Sequence, residues 1–391
     1  YTNSPGTVTG VSGKGYFLNT TSGTITVTLP GSPSAGDIIA VKDYANTWGC
    51  NSVTINRNGS KIRGACSNAT LDTEAQSVTL IYADSTRGWL DIHDSTSNVG
   101  ISNFINATGG TITESGDFKI HTFTSDGTFA VTTAPTPANN NVSYVVVAGG
   151  AGGGANHGGG GGAGGYREGK AGSDTYTASP LVAPAGLSVS ASTSYPVTVG
   201  AGGGNAGAGS PTVVGGTGSN SIFSSITAHG GGGGGGSGAQ GAPGGSGGGD
   251  SGENPTGNGG TGNTPPVSPP QGNNGENRPS SRGNSGGGGG ALEAGGTDGV
   301  MSGGDGVTSS ITGASVARSG GGGGANYPVS PGYNGSGGDG GGGRGSSGVP
   351  GHTGEAGTAN TGGGGGGVFC GPTASGTGGS GVVVIRYKFK N

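Results

Sequence analysis

Side chains able to recognise another molecule are sparse in this sequence and gather in the interruptions between its glycine runs. Asn273, Asn274, Arg278 and Arg282 fall in the longest interruption, which opens at Ser237 and reaches Ser285. Tyr327 and Tyr333 stand in a second polar-aromatic stretch, and Arg344 and His352 in a third. Amides, guanidinium groups and an imidazole give directional hydrogen bonds, and tyrosine rings give flat apolar faces. A saccharide or protein surface requires both. These residues form the candidate contact set; the opposing reading is that each caps the edge of a packed bundle.

Other chemistry finds little footing. Gly164 to Ala171 approaches a phosphate-binding loop, but Ala171 replaces the hydroxyl residue that would hold Mg²⁺. Gly244-Gly245-Ser246-Gly247-Gly248 fits a nucleophile elbow only formally, because such matches arise freely in glycine-rich sequence. Gly303-Gly304-Asp305-Gly306 lacks the tandem register of a calcium β-roll. Asp91 and His93 share a strand face and read as a solvated pair, or as metal ligands shared with symmetry mates around a threefold axis. No pair of carboxylates is spaced for glycan cleavage. The expectation is a protein without catalytic residues, cofactor or metal.

The elements that must position the candidate residues are unusual. Glycine supplies 103 of 391 residues and proline 20, a level that points first to low complexity. Pure runs break any collagen triplet. Charged residues make up only 9 %, too few for a solvated disordered chain, and the net charge of −4 without a basic block makes nucleic acid a poor partner. No apolar run is long enough to span a membrane. The chain opens at Tyr1 with neither an initiator Met nor a signal-like segment, so it is expected to be processed or part of something longer.

Residues 1–100 carry short β-branched runs at Thr24–Leu29, Asp37–Val41, Ser52–Ile55, Ser77–Tyr82 and Gly88–Ile92, the spacing of a small β sandwich or barrel. Asn58-Gly59 predicts a type I′ hairpin. Pairing around that turn would set Cys50 nearly opposite Cys66, within disulfide reach, with two reduced thiols as the alternative. Cys370 reads as a buried thiol. Beyond residue 100, Asp117–Thr124 and Thr128–Thr132 predict strands joined by a hairpin at Asp126-Gly127. Val145-Val146-Val147 is apolar on both faces and predicts a covered central strand, with Val382–Ile385 as its neighbour. The stretch 149–381 is then an insertion between adjacent strands.

A single glycine run cannot order itself. Fixing each backbone costs about 1–2 kcal/mol, while a net hydrogen bond returns about 0.5–1.5 kcal/mol. Many runs together can do so in the polyproline-II conformation, which has three residues per turn and turns every N–H and C=O outward. Without Cβ atoms, neighbours approach until their backbones bond. Pure runs are then expected at the centre and punctuated stretches such as Gly200–Gly207 nearer the surface.

Three features resemble the glycine-rich domain of phage tail-fibre and adhesin proteins, over about Gly110 to the C-terminus. They are Lys119–Thr124 followed by Tyr144–Gly150, then Gly158–Tyr166 with Val197–Gly203, and the closing Gly381–Tyr387. Residues 1–100 are similar to modules found upstream in tail fibres of marine phages. The resemblance implies a receptor-binding tip on a homotrimeric fibre, extracellular in the virion, with a polyglycine-II sandwich carrying host-contacting loops. Its partners would be a saccharide or outer-membrane protein of the host and other tail proteins. The second reading is a structural fibre subunit that binds no receptor. The expected fold is all-β with polyglycine-II helices: a β module in 1–100, then a domain in 101–391. Strands at about 117–148 and 382–388 frame a glycine bundle at about 149–381.

Overall fold

The computed structural model describes residues 2–3, 6–94, 104–135, 140–207, 214–279, 283–326, 335–347, 352–369 and 373–390. The chain divides into two compact units, Tyr1–Ser102 and Asn103–Asn391. Every regular element among the described residues is a strand, so the fold is all-β.

In the first unit the strands are β1 (Thr2–Asn3), β2 (Gly6–Thr9), β3 (Lys14–Asn19), β4 (Ile25–Thr28), β5 (Ile38–Asp43), β6 (Val53–Asn56), β7 (Ala69–Leu71), β8 (Ser77–Asp84) and β9 (Gly88–Asp94). The chain alternates between two sheets. β1, β3 and β5 stack in parallel in one; β2, β4 and β6 stack in parallel in the other. β8 and β9 extend the first sheet and β7 the second, all antiparallel. Period-two alternation sends Val8, Ile25, Val27, Val53 and Ile55 inward against Leu18, Ile39, Val41, Trp48 and Trp89. Threonines occupy the other face, with Thr7, Thr26, Thr54 and Thr70 in one cross-strand row.

The expected hairpin after Asn58-Gly59 does not form. Both residues adopt the left-handed φ of a type I′ turn, at 45° and 90°. The partner of β6, however, is β7, with Val53 opposite Leu71. Ile62 instead bridges to Ala65 and to Trp89. The cysteines consequently never face each other across a ladder, and Cys50 and Cys66 are exposed free thiols. Cys370 lies outside the described residues. Asp91 is paired with the Arg63 guanidinium.

The second unit contains β10 (Asn106–Thr108), β11 (Thr111–Ser115), β12 (Phe118–Phe123), β13 (Gly127–Thr133), β14 (Asn141–Val147), β15 (Tyr166–Gly169), β16 (Val182–Ala183), β17 (Leu187–Ser188), β18 (Thr193–Thr198), β19 (Ser221–Phe223), β20 (Ile226–Ala228), β21 (Val307–Ser309), β22 (Val316–Arg318) and β23 (Val382–Lys388). As predicted, β14 lies beside β23, with Val147 opposite Val382. β12 takes the other side of β23. The Asp126-Gly127 hairpin is not made: β12 belongs to this seven-stranded sheet, while β13 crosses into a five-stranded one. Eight frame strands, β15 to β22, interrupt the stretch expected to be glycine bundle alone.

Both faces of β14 and β23 are covered. Tyr144, Val146, Val383, Ile385 and Tyr387 pack with Phe129, Val131 and Phe223 between the two sheets. Val145, Val147, Val382 and Val384 pack with Tyr166, Tyr176, Val307 and Ile311 on the opposite side. Two buried polar groups tie that second layer together. Arg386 Nε donates to Asp174 at 2.9 Å, and Glu168 accepts from Tyr166, Ser309 and the Ser179 backbone.

Beyond the frame, glycine runs lie side by side and bond through their backbones with a period of three. In 158–165, Gly159, Gly162 and Gly165 donate to Gly235, Gly232 and His229. Gly160 and Ala163 donate to Gly286 and Gly289, while Gly158, Gly161 and Gly164 donate to Val368, Gly365 and Gly362. Its carbonyls accept from 148–154, 246–249 and 322–325. The run therefore has six neighbours, bonded every third residue, which is the turn a polyglycine-II bundle requires. Runs 320–324 and 362–367 are also buried and also bonded on six sides.

Burial follows the expectation for most pure runs, with Gly230 half-buried at the start of its run. Gly158–Gly162, Gly231–Gly236, Gly286–Gly290, Gly320–Gly324 and Gly362–Gly367 are buried. Gly340–Gly342 are only half-buried: Gly340 and Gly341 have φ of +96° and +102° and turn the chain at the bundle edge. Gly200–Gly207 is exposed along one flank, at Ala201, Gly204, Asn205 and Gly207, and buried at Gly200, Gly203 and Ala206. The alanine-punctuated 148–155 is fully buried, against the expectation for a punctuated stretch.

A Cβ placed on Gly161 would lie 2.3 Å from the Ala151 carbonyl oxygen, and one on Gly322 would lie 2.1 Å from that of Gly365. Gly161→Ala and Gly322→Ala should each cost the second unit about 3 kcal/mol as overpacking. Calorimetry should show its unfolding temperature lowered by roughly 6–10 °C. Gly204→Ala, with open space at its Cβ position, should change it little. In the first unit, native alkylation and peptide mapping should label both Cys50 and Cys66 without reductant; protection of both would restore the disulfide.

Candidate functional site

Hydrogen-bond register gives each run a direction. Residues 148–154 lead away from the frame and 158–165 return; 200–207 lead away and 215–219 return. The alternation continues through 229–236, 257–263, 271–278, 284–290, 319–326 and 362–369 to 374–381, which re-enters the frame at β23. Many connections therefore collect at the end of the bundle far from the sheets. The turns at 155–158, 236–239 and 252–257 lie there, as do the residues flanking 280–282, 327–334, 348–351 and 370–372.

The candidate contact residues separate into two groups. Arg278 belongs to the far end, half-buried, its N–H donating to Gly257. His352 is exposed there, with Nδ1 at 2.9 Å from Ser347 Oγ. Arg344 is exposed on the 341–347 run; its carbonyl accepts from the Glu355 N–H and its own N–H donates to the Glu355 carboxylate. Asn273 and Asn274 instead sit in the half nearer the frame, the first half-buried and the second exposed, and bond to neighbouring runs. Asn273 Nδ2 donates to the Gly290 and Ala291 carbonyls, and Asn274 Oδ1 accepts from Gly262. Arg282, Tyr327 and Tyr333 lie outside the described residues.

The far end also holds groups that the sequence reading passed over. His157 Nε2 lies 3.2 Å from the Glu253 carboxylate, and its ring meets Phe369 edge-on at 4.3 Å. Asn156 and His157 both have left-handed φ, 59° and 56°, to reverse the chain in two residues. A two-residue polar break between glycine runs is the available signal, overshadowed by the longer interruptions.

Two acids sit inside glycine runs. Asp250 is fully buried, with Oδ1 accepting from Asn254 at 2.7 Å. Glu276 Oε2 accepts from the N–H groups of Gly287 and Met301. Burial pushes Asp250 up to about 6 and Glu276 up to about 7, against the opposing pull of those hydrogen bonds. Nearer the frame, Glu293, Asp298 and Asp305 place carboxylate oxygens within 4.8 Å of one another. Burial, together with the charges of its two neighbours, raises the Glu293 carboxyl.

A carboxyl whose folded pKa exceeds its unfolded value stabilises the fold below the unfolded pKa and loses that contribution as pH rises through the folded one. For Asp250 and Glu276 the loss runs from about pH 4 to pH 7. The second unit should therefore unfold at a higher temperature at pH 5 than at pH 8. Asp250→Asn with Glu276→Gln should flatten that difference; an unchanged pH profile in the double variant would refute the assignment.

Comparison with curated proteins gives no match. A family model described as a glycine-rich domain matches residues 124–388, from the end of β12 through β23 and so across the frame and the whole bundle. With well over half of its length matched, the chain belongs to the glycine-rich domain family.

Proposed function

We propose that this protein is a receptor-binding protein of a phage tail fibre, attaching the virion to the host surface through the connections at the far end of the glycine bundle. One observation carries the reading: the alternating runs gather polar connections at one end of a scaffold whose every central residue is held by its neighbours. Binding loops on a rigid support are the usual way a recognition surface is built. Arg278, His352 and the His157–Glu253–Phe369 group belong to that end. They offer charge, imidazole and ring faces, the chemistry of a saccharide or outer-membrane protein contact. The resemblance of the glycine-rich region to tail-fibre adhesins supports the same assignment, and with it a non-enzymatic, trimeric, extracellular virion protein.

Fluorescently labelled protein should bind susceptible bacteria saturably, and unlabelled protein should compete with phage adsorption. Arg278→Ala with His352→Ala should weaken binding at least about tenfold without lowering the unfolding temperature. Asn273→Ala should instead lower stability, because it removes the side-chain donor of the Ala291 carbonyl, while Gly290 keeps the backbone N–H of residue 273. No binding to any susceptible host would leave a structural fibre subunit as the better account.

A further inference from the structure

Along the regular runs most neighbouring pairs bond in one direction only; 229–236 with 245–249 and 362–366 with 376–380 add a single bond in the other direction, at Gly245 to Gly230 and at Gly362 to Ser380. Residues 148–154 donate to 158–165 and accept nothing from them; 158–165 donate to 229–236 and accept nothing back. The lattice is indifferent to polarity, however. Gly160 and Ala163 pair with the parallel Gly286 and Gly289, while Gly161 and Gly164 pair with the antiparallel Gly365 and Gly362. A complete position has six such neighbours.

Residues 200–207 have only half of them. Gly203 donates to Gly150, Gly203 and Gly200 accept from Gly378 and Gly381, and Ala201 and Gly204 accept from Ser219 and Gly216. The N–H groups of Ala201, Gly202, Gly204 and Asn205 have no hydrogen-bond partner among the described residues. Ala201, Gly204 and Gly207 are exposed at a spacing of three, and so lie along one flank of a three-residue turn. Gly204 and Gly207 also differ from the bundle's other glycines. A Cβ on either would meet nothing within 4 Å, and neither has positive φ, so the fold itself does not demand glycine there.

We propose that the outer flank of 200–207 is a docking edge for a segment of another polypeptide, already held at three residues per turn and carrying glycine at every third position. The glycine requirement is that of the interior, where approaching backbones leave no room for a Cβ. Prior ordering is needed because a flexible glycine peptide would lose more on immobilisation than its bonds return. Proline supplies that order by fixing φ. It also lacks an N–H, which suits an edge rich in unpaired donors. Symmetric pairing of this edge with its copy is disfavoured. An isologous contact needs equal bonding in both directions, whereas pairs of runs here bond wholly or mainly one way.

The test uses the full chain and a labelled peptide of four Gly-Pro-Pro triplets, with Ala-Pro-Pro as its counterpart, read by fluorescence anisotropy. The glycine peptide should bind saturably and the alanine peptide at least about tenfold more weakly. Gly204→Leu and Gly207→Leu should each weaken binding to a similar degree, with the unfolding temperature unchanged because both side chains enter open space. Equal binding of the two peptides, wild-type binding by the leucine variants, or no saturable binding would overturn the proposal. So would a concentration-dependent dimer of the wild-type chain that Gly204→Leu abolishes, since the occupant would then be a second copy.

Discussion

The structure of the second unit depends on the absence of Cβ atoms where backbones meet. At Gly160, Gly288, Gly321 and Gly364 an added methyl carbon would lie about 2 Å from a neighbouring carbonyl oxygen. Removing it lets peptide groups from separate runs come within hydrogen-bond range on every side. The hydrophobic effect, which dominates ordinary cores, is replaced here by a lattice of polar groups that satisfy one another. Most central residues both donate and accept, and that mutual satisfaction offsets the ordering cost that one run could not meet.

Such a lattice has no means of fixing its own boundaries, and the sheets supply them. β14 and β23 are apolar on both faces and enclosed by two side-chain layers, so the runs between them begin and end at a fixed place. From that plane the runs shuttle outward and back, and polar side chains are pushed to the turns. Buried acids are the departure from this pattern. Asp250 and Glu276 sit among glycines with few donors, and their carboxyls hold their protons into the range where ordinary acids have lost them.

Much of this was legible from residue types alone. The covered strand at Val145–Val147, its pairing with Val382–Ile385 and the interior position of most pure runs follow from apolar patterning and from the geometry of a chain without Cβ. Pairing partners were not legible wherever a turn signal was local and the ladder non-local. Asn58-Gly59 makes its turn, yet β6 finds β7; Asp126-Gly127 turns the chain out of its sheet rather than back along it. Run purity also misled at Gly340 and Gly341, where glycine serves positive φ at a turn of the chain. Among the contact residues, type indicated hydrogen-bonding capacity but not which end of a run each would occupy. Asn273 and Asn274 accordingly lie in the half nearer the frame, bonded to neighbouring runs.

The position of β23 in the sheet has a consequence for biosynthesis. Its strand joins β12 to β14, so neither can complete its pairing until Val382–Lys388 has left the ribosome. At a translation rate of about 5–20 residues per second, the stretch after β14 takes some tens of seconds to make. Throughout that interval the glycine runs have no closed frame and the apolar faces of β14 have no cover. The nascent chain therefore has to stay soluble while unfinished, which its low hydrophobic content of 28 % favours. A ribosome that stalls just before Val382 would release a chain holding nearly every glycine of the bundle but lacking the strand that closes it.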